Sequence, residues 1–427
     1  MAKRREIVVV GGGVIGLSCA YYLSREGHAV RVIEAGAEKD LSASFGNLGM
    51  VVPSHCMPLA APGVLWQGIK WMTNPESPFY LRPRASLPLA SWAFRFWRAS
   101  SKQRAERAAP HVLALNLASA AAYRELAAEL GGFGFEQRGL LMLSESREGH
   151  QHELAGAAKA NAWGLDAAGV PAVELSSTEL AELEPGVDFK VAGAVLYPSD
   201  AHLDPAALMA RLRDALQTRD VEITYGAKAA LTADGDTVSV KVGSETITPS
   251  HVVLAAGSWS AALAKQVGIE LPLEPGKGYS LTLPGPPLPL RTPSILTEAR
   301  VAITPFKGAL RIGGTMELAG FDEDIGARRV KGIMDSSLRA LPGLDRAELA
   351  KARPWHGFRP LSPDGMPYLG RGRSHKNLII AAGHAMMGLS TAPISGKIVA
   401  DLVADRAEGA AARLLFSGLY DPERYSK

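Results

Sequence analysis

Three glycines near the start of the chain have the spacing that a pyrophosphate site requires. Gly11, Gly13 and Gly16 form a G-x-G-x-x-G motif. The first glycine of such a motif allows a tight turn, the second lets the backbone approach a pyrophosphate, and the third lets a helix pack closely on a strand. Glu34 follows at the distance where a carboxylate accepts hydrogen bonds from a ribose. These residues predict a bound dinucleotide.

The elements around the glycines are the ones that must position them. Residues 6–10, EIVVV, have the composition of a buried parallel strand, and a helix follows that we expect to end at Gly27. A second strand, AVRVIEA, ends at Glu34. The N-terminus of the helix offers free N–H groups and about half a positive charge to phosphates. The acidic Glu34 argues against the 2′-phosphate of NADP, but it leaves NAD and FAD open.

The rest of the chain bears on that choice. After the second strand comes a long loop, residues 41–63, rich in Ser, Gly, Pro and Asn, where a nicotinamide dehydrogenase usually continues with strands and helices. Pieces typical of a nucleotide domain return much later, so we expect this domain to be interleaved with insertions. They are a helix over 202–217 with Asp204 as N-cap and Pro205 in its first turn, a short strand VEITYG, a buried strand in 251–260 that breaks at Gly257, and a strand, turn and helix over 378–403.

Eight segments spread over nearly the whole chain form a set that is more specific than any one of them. They are GGGVIG, SFGNLGMVVP, PLAAPGVLWQGIKWM, LAAGSWS, GKGYSLTL, RIGGTMELAGFD, GFRPLSPDGMPYLG and NLIIAAGHAMMGLS. In this order they resemble the D-amino acid oxidase/glycine oxidase superfamily of flavoproteins, and more closely the bacterial D-amino acid dehydrogenases, in particular their small subunit. The resemblance implies that the dinucleotide is FAD.

The resemblance also implies which residues line the cofactor. The loop after the second strand is expected to run past the diphosphate and the flavin ring, and the segment after residue 382 to place a helix N-terminus near the flavin N1–C2=O edge, where it stabilises negative charge. For His384 the alternative is a structural turn residue. The full set is Gly11, Gly13, Val14, Ile15, Gly16, Glu34, Ala35, Ser42, Ala43, Ser44, Asn47, Leu48, Gly49, Ala256, Gly257, Trp259, Gly383, His384, Met387, Gly388, Leu389 and Ser390.

The segment GFRP, residues 357–360, carries the sharpest catalytic expectation. By the resemblance, Arg359 binds the substrate carboxylate. The residue type fits, because a guanidinium is always charged and matches a carboxylate with two parallel hydrogen bonds. For an isolated arginine a surface salt bridge is the ordinary alternative.

Further pocket residues are expected from the same resemblance. His55 is a candidate for tuning specificity, and Tyr279 and Met316 are candidate pocket walls, although a methionine is as often ordinary core packing. Glycine oxidases carry a tyrosine where this chain has Ala302, so their pocket cannot be copied whole, and a roomier pocket is expected. The chemistry needs mainly an amine oriented for hydride transfer from the α-carbon to flavin N5, without an obligate general base.

Composition excludes several other classes of protein. A hydrophobic content of 47% and a charged content of 21% are those of a soluble globular protein, and a net charge of +3 is too even for a nucleic-acid binder. Two cysteines, Cys19 and Cys56, provide no disulfide framework or zinc spacing, and no metal site is expected. No apolar run reaches the roughly 20 residues of a spanning helix. A cytoplasmic protein is expected.

Residues 62–107 mix aromatic and basic side chains in a way that allows two interpretations. One is a peripheral contact with the anionic inner face of a membrane, as a dehydrogenase that reduces a quinone would need. The other, which we favour, is a helix that buries its aromatic residues and exposes its arginines. The side chains concerned are Trp66, Lys70, Trp71, Phe79, Tyr80, Arg82, Arg84, Trp92, Phe94, Arg95, Phe96, Trp97, Arg98, Lys102, Arg104 and Arg107.

These expectations combine into an α/β fold with a discontinuous Rossmann-type FAD-binding domain and an inserted α+β substrate domain with a mainly antiparallel sheet. The FAD-binding domain is expected over 1–55, 196–270 and 355–427, and the substrate domain over 56–195 and 271–354. The expected reaction is oxidation of a D-amino acid, with D-proline and hydroxy-D-proline as candidates, and a quinone or another acceptor takes the electrons. The alternatives are a glycine/sarcosine-type oxidase that reduces O2 and a flavoprotein without turnover. The oligomeric state is left open.

Overall fold

The valine-rich segment near the N-terminus forms a strand at the centre of a parallel sheet. The structure of the chain is a computed structural model, and it describes residues 4–38, 42–61, 63–64, 68, 70 and 77–426. The strands are β1 (Glu6–Val10), β2 (Ala29–Ile33), β3 (Met50–Val51), β4 (Phe79–Leu81), β5 (Leu140–Ser144), β6 (Val173–Leu175), β7 (Gly193–Tyr197), β8 (Ala201–His202), β9 (Glu222–Thr224), β10 (Ala229–Asp234), β11 (Thr237–Val242), β12 (Glu245–Ile247), β13 (His251–Leu254), β14 (Glu274–Pro284), β15 (Ser294–Leu296), β16 (Val301–Phe306), β17 (Ala309–Leu318), β18 (Pro354–Leu361), β19 (Tyr368–Arg371) and β20 (Leu378–Ala382). The α-helices are α1 (Val14–Arg25), α2 (Leu87–Ala99), α3 (Lys102–Leu130), α4 (Arg147–Ala160), α5 (Ser177–Leu183), α6 (Pro205–Gln217), α7 (Ser260–Gln266), α8 (Ala327–Ala340), α9 (Arg346–Lys351), α10 (Ala392–Val403) and α11 (Ala410–Leu414).

The first sheet is the nucleotide-binding type that the sequence predicts. Its strand order is β19-β20-β13-β1-β2-β9, and all neighbours are parallel except β19 and β20. The central strands are buried on both faces, which explains their unbroken valine, isoleucine and leucine runs. One face packs against α1, α3, α6 and α10, and the other against α7 and the antiparallel sheet β10-β11-β12. The sequence analysis did not predict this three-stranded sheet.

The second sheet is mainly antiparallel, as the inserted substrate domain requires. Its order is β18-β14-β17-β16-β15-β5-β7-β6, and β4 pairs with β17. Only β15 with β5 and β17 with β4 are parallel. Helices α8 and α9 pack on one side around the core that contains Leu281 and Ile312. The fold class is therefore confirmed, while the domain limits stay a prediction.

Local signals at several helix ends are also confirmed. Asp204 Oδ1 accepts from the backbone N–H groups of Ala206 and Ala207 and begins α6, with Pro205 at the first position. Ser176 and Glu179 form the capping box that begins α5. Helix α3 ends at Leu130 with Gly131 as its C-cap, and it runs through Pro110 from Ser101, whose side chain caps it at the backbone N–H of Arg104.

The aromatic and basic region divides into buried and exposed side chains. On α2, Trp92 and Phe96 are buried and stack with their ring centroids 5.1 Å apart. Leu87, Phe94 and Trp97 on the same helix are exposed. Trp66 and Trp71 lie outside the described residues. The interpretation that the helix buries its aromatic residues therefore holds for Trp92 and Phe96 but not for Phe94 and Trp97. No helix of the described ranges is long and apolar enough to cross a membrane.

Two glycine substitutions with opposite signs test the packing of α1 against α10. A Cβ on Gly396 of α10 would lie 2.6 Å from the Ser18 carbonyl oxygen and 2.6 Å from the Tyr22 ring. Gly396→Ala should therefore lower the free energy of unfolding by about 1–3 kcal/mol through overpacking. Gly156 is exposed on α4, and a Cβ added there would have no atom within 4 Å. Gly156→Ala should therefore raise the free energy of unfolding by about 0.5–1 kcal/mol. Denaturant unfolding of the FAD-loaded protein measures both changes, and equal effects would contradict close packing at Gly396.

Candidate active site

A large cleft lies between the two sheets and is lined by residues of both. Its volume is about 2450 Å³, far above the roughly 300–1,000 Å³ of a pocket for one drug-sized ligand, so it has room for a dinucleotide and a second molecule. Every residue expected to hold FAD lines this cleft except Gly16 and Ser390, and all four expected catalytic residues line it too.

The glycines fit their expected places at one end of the cleft. A Cβ on Gly11 would lie 2.4 Å from the Ala255 carbonyl oxygen, and a Cβ on Gly16 would lie 1.8 Å from the Gly11 carbonyl oxygen. Gly13 is the N-cap of α1 and supplies no side-chain cap, and the Val14 N–H donates to Ser44 Oγ at 2.9 Å. The first turn of α1 carries no acidic residue that would compete with a bound phosphate.

Glu34 lies beside these glycines. Its Oε2 accepts from the Gly12 N–H at 2.5 Å, and its Oε1 accepts from the Gly36 N–H at 2.7 Å. Each carboxylate oxygen keeps a further lone pair, so the residue is able to accept ribose hydroxyls as well. Ala35 lines the cleft next to it.

The loop that contains Ser42, Ala43 and Ser44 is held against the second sheet. Arg311 Nη1 donates to the carbonyl oxygens of Phe45 and Asn47, and Thr304 Oγ1 and Ser280 Oγ donate to those of Leu48 and Gly46. The Asn47 side chain bonds within the loop, to the Ser44 carbonyl and the Gly49 N–H, and gives the loop its shape. The sequence analysis missed Arg311, Thr304 and Ser280, although two of the quoted segments contain Arg311 and Ser280.

The turn after β20 forms the opposite wall. Gly383 has a φ of +72°, which suits glycine, and Met387, Gly388 and Leu389 line the cleft. The ring of His384 is buried and hydrogen-bonds Ser395 of α10 at 3.1 Å, and burial lowers its pKa to about 3. Ser390 is also buried, donating to Asn116 and accepting from the Val52 N–H. Both side chains therefore brace the turn.

Ala256, Gly257 and Trp259 lie at the cleft on the turn that follows β13. Trp259 is exposed and stacks on Phe321, with ring centroids 5.1 Å apart. Phe358 of β18 meets both rings edge-on. Trp259 follows a strand of the first sheet and Phe358 lies on a strand of the second, so these aromatic rings join the two sheets at the rim of the cleft.

Arg359 is a cation without a partner anion. Its Nη1 donates to the Thr315 carbonyl oxygen at 2.7 Å, and no carboxylate in the described part of the chain forms an ion pair with it. The residue is half-buried, with part of its surface open to the cleft. Burial lowers its pKa to about 10, which leaves it charged at neutral pH. Such a group favours an anionic ligand, because a desolvated charge is costly unless it is paired.

A bulge and a glycine position this guanidinium. Thr315 and Met316 of β17 together oppose Gly278 of β14, and Thr315 has a φ of +68°, a strained value for a β-branched residue. A Cβ on Gly278 would lie 2.3 Å from Nη1 and Nη2 of Arg359. Neither Gly278 nor the bulge was predicted from the sequence.

The remaining expected pocket residues differ in their surroundings. The Tyr279 hydroxyl donates to Glu317 at 2.6 Å in the core beneath the sheet, so its contact with the cleft is limited. Met316 packs in the cluster of Trp92 and Phe96 at the cleft wall. His55 lies at the far side of the cleft, beside Ser54, which contacts its Nδ1 at 2.9 Å.

The narrow glycine turn, the uncapped helix and the acceptor Glu34 together fit a dinucleotide such as FAD. A family model described as FAD dependent oxidoreductase, named DAO, matches residues 6–402. The chain belongs to the DAO family of FAD-dependent oxidoreductases. FAD is therefore its cofactor, and the protein is an enzyme of this family.

Individual relatives agree with this membership. The chain is 34% identical to a D-amino acid dehydrogenase of Paramagnetospirillum magneticum over 412 residues, which cover 94% of this chain and 95% of the relative. It is also 34% identical to a D-amino acid dehydrogenase of Methylobacterium radiotolerans, over 97% of this chain and 99% of the relative. The solved structure of glycine oxidase from Geobacillus kaustophilus superposes with a TM-score of 0.74 at 25% identity and covers 99% of both chains.

Removing the Glu34 carboxylate tests the cofactor end of the cleft. Glu34→Ala should weaken FAD retention about five- to 100-fold, since two backbone donors and a bound ribose lose a charged acceptor. The preference among substrates should not change. The measurement is the dissociation constant of FAD by equilibrium dialysis or flavin fluorescence. Glu245→Ala is the control, because Glu245 is exposed and pairs with Arg31 away from the cleft. Unchanged retention in Glu34→Ala would exclude a ribose contact.

Proposed function

We propose that the protein oxidises D-amino acids, with D-proline and hydroxy-D-proline as candidates, and that Arg359 binds the substrate carboxylate. The single observation that carries the proposal is the unpaired guanidinium at the cleft, bonded to one carbonyl oxygen and open on the cleft side. The two relatives named D-amino acid dehydrogenase support the substrate class.

The proposed roles of the other residues follow from their positions. The glycine turn and α1 hold the pyrophosphate, and Glu34 holds the ribose. The loop 42–49 and the turn 383–389 hold the flavin. When bound, FAD supplies a two-electron acceptor for conversion of an amine to an imine, which water then hydrolyses. The chain itself orients the substrate, and such positioning supplies most of the rate.

The wall beside Arg359 supports a substrate with a side chain. Gly313, Gly314 and Ala302 line the cleft on β17 and β16, and Ala302 pairs with Gly313 across the two strands. Ala302 puts only a methyl group on this wall and leaves space there, whereas the Cβ positions of Gly313 and Gly314 are already filled by Leu48 and by the Arg300 backbone. A glycine-specific enzyme does not need that space, so this wall favours larger amino acids over glycine or sarcosine.

We also propose that the electrons pass to a carrier such as a quinone. The exposed Leu87, Phe94 and Trp97 on α2, beside Arg98, support contact with an anionic membrane surface. The glycine oxidase structure supports the alternative that O2 is the acceptor. Peroxide formation in air, without faster turnover on adding an artificial acceptor, would identify an oxidase.

The domain division stays part of the proposal. We place the FAD-binding domain in 1–55, 196–270 and 355–427 and the substrate domain in 56–195 and 271–354. The membership of β1, β2, β9, β13, β19 and β20 in one sheet supports it.

Substitution of Arg359 tests the carboxylate contact. Arg359→Ala should raise KM for D-amino acids by about 10²-fold or more while FAD stays bound, because two charge-assisted hydrogen bonds are lost. Arg359→Lys should recover part of that loss. Steady-state kinetics of substrate oxidation and the flavin content of the purified variant measure the two effects.

Carboxylate-free amines provide the control for this prediction. Wild type should oxidise them poorly, and Arg359→Ala should leave their KM nearly unchanged. Arg346→Ala is a matched control on the surface, where Arg346 pairs with Asp335. Equal oxidation of amines and amino acids by wild type would refute the assignment of Arg359.

A further inference from the structure

A chain of three side chains lies beyond the carboxylate anchor. Ser54 Oγ donates to Asp200 Oδ2 at 2.5 Å and contacts His55 Nδ1 at 2.9 Å. Ser54 and His55 follow β3, Asp200 precedes β8, and the antiparallel pairing of β3 with β8 brings the two segments together. None of the functions assigned above uses Ser54 or Asp200.

The environment of Asp200 sets the direction of these hydrogen bonds. Asp200 is fully buried, and its other oxygen, Oδ1, accepts from Ser199 Oγ at 2.7 Å and the Ser54 N–H at 3.0 Å. Burial raises its pKa to about 7 against the effect of these donors. When Asp200 is ionised it only accepts, so the single Ser54 hydroxyl proton is donated to it. Ser54 Oγ must then accept from His55 Nδ1–H.

This arrangement leaves a lone pair on His55 Nε2. No hydrogen bond to Nε2 forms within the described ranges, and His55 lines the cleft. Burial and the nearby charge of Arg300 lower the pKa of His55 to about 4, so the ring is neutral at working pH. When Asp200 is ionised, the cleft therefore contains an uncharged hydrogen-bond acceptor that Ser54 holds in place.

The sheet order separates this acceptor from Arg359. Val52 and Cys56, on either side of His55, pack with Met142 of β5 and Tyr197 of β7. The guanidinium of Arg359 is bonded to β17, and β16 and β15 lie between β17 and β5. Because neighbouring strands are about 4.8 Å apart, the guanidinium and the segment that carries His55 lie several strand widths from each other. The substrate amine shares a carbon with the carboxylate and stays near Arg359, so His55 faces the outer part of the substrate side chain.

We propose that His55 selects the substrate side chain by accepting a hydrogen bond from a hydroxyl group at the far end of that side chain. Ser54 and Asp200 are positioning residues that hold the ring and its tautomer. The inference rests on the proposed oxidation of D-amino acids and names a class within it. A carboxylate side chain has no proton to donate, and the charge of Arg300 repels a cationic donor, whereas a neutral donor satisfies Nε2 without a charge, and a hydroxyl is the smallest such group.

Matched substrate pairs test this selection. The ratio of kcat/KM is measured for 4-hydroxy-D-proline against D-proline and for D-tyrosine against D-phenylalanine. In wild type the hydroxylated member of at least one pair should be preferred about tenfold or more, because its absence leaves a desolvated acceptor unpaired. His55→Leu should bring that ratio close to one by lowering kcat/KM for the hydroxylated substrate alone. The unhydroxylated substrate reports whether the variant has folded.

Two further sets of variants separate selection from general damage. His356→Leu is the control, because His356 lines the same cleft without this relay and should leave the hydroxyl preference unchanged. Ser54→Ala should raise KM for the hydroxylated substrate with little change in kcat, and Ser54→Thr should restore it by returning a hydroxyl.

Three results would overturn the inference. If D-amino acids are oxidised but neither pair shows a preference, or if the preference survives in His55→Leu, then His55 does not select the side chain while the proposed function stands. If no D-amino acid reduces the flavin, the proposed function fails and this inference fails with it.

Discussion

The positive charge of Arg359 is held at the cleft by one carbonyl oxygen, and a bulge and a glycine of the second sheet position it there. The carbonyl belongs to Thr315, whose left-handed backbone is part of a bulge in β17. The bulge places two residues opposite Gly278, and only a glycine at that position leaves space for the guanidinium. Strain of this kind persists when the surrounding structure enforces it. In the proposed function, the substrate carboxylate supplies the anion that the described part of the protein does not.

The same sheet also holds the loop that borders the cofactor. Arg311, Thr304 and Ser280 bond to backbone carbonyls of residues 45–48, so the loop shape depends on strands β14, β16 and β17. In the proposed function, cofactor and substrate are therefore positioned by a common set of strands. Under the proposed domain division, the inserted domain then sets the distance between the two molecules, on which the rate of transfer depends.

Local sequence signals predicted the nucleotide-binding half well, because its elements are encoded by neighbouring residues. The glycine motif, the valine-rich strand and the Asp204 cap each act within a few positions. The features around Arg359 were beyond such reasoning: Gly278 and Thr315 meet only through the register of β14 and β17. Ser54 and Asp200 are 146 positions apart, and their contact depends on the pairing of two very short strands. The family resemblance pointed to Arg359 and His55 but not to what surrounds them.

The central claim is that a carboxylate anchored at Arg359 presents a D-amino acid to the bound FAD. It is tested most directly by anaerobic titration of the FAD-loaded protein with both enantiomers of a panel of amino acids, proline included, while the flavin absorbance is followed. The account predicts that D-enantiomers bleach the flavin and that L-enantiomers leave it oxidised. Bleaching by L-enantiomers at equal rates, or by no amino acid at all, would contradict it.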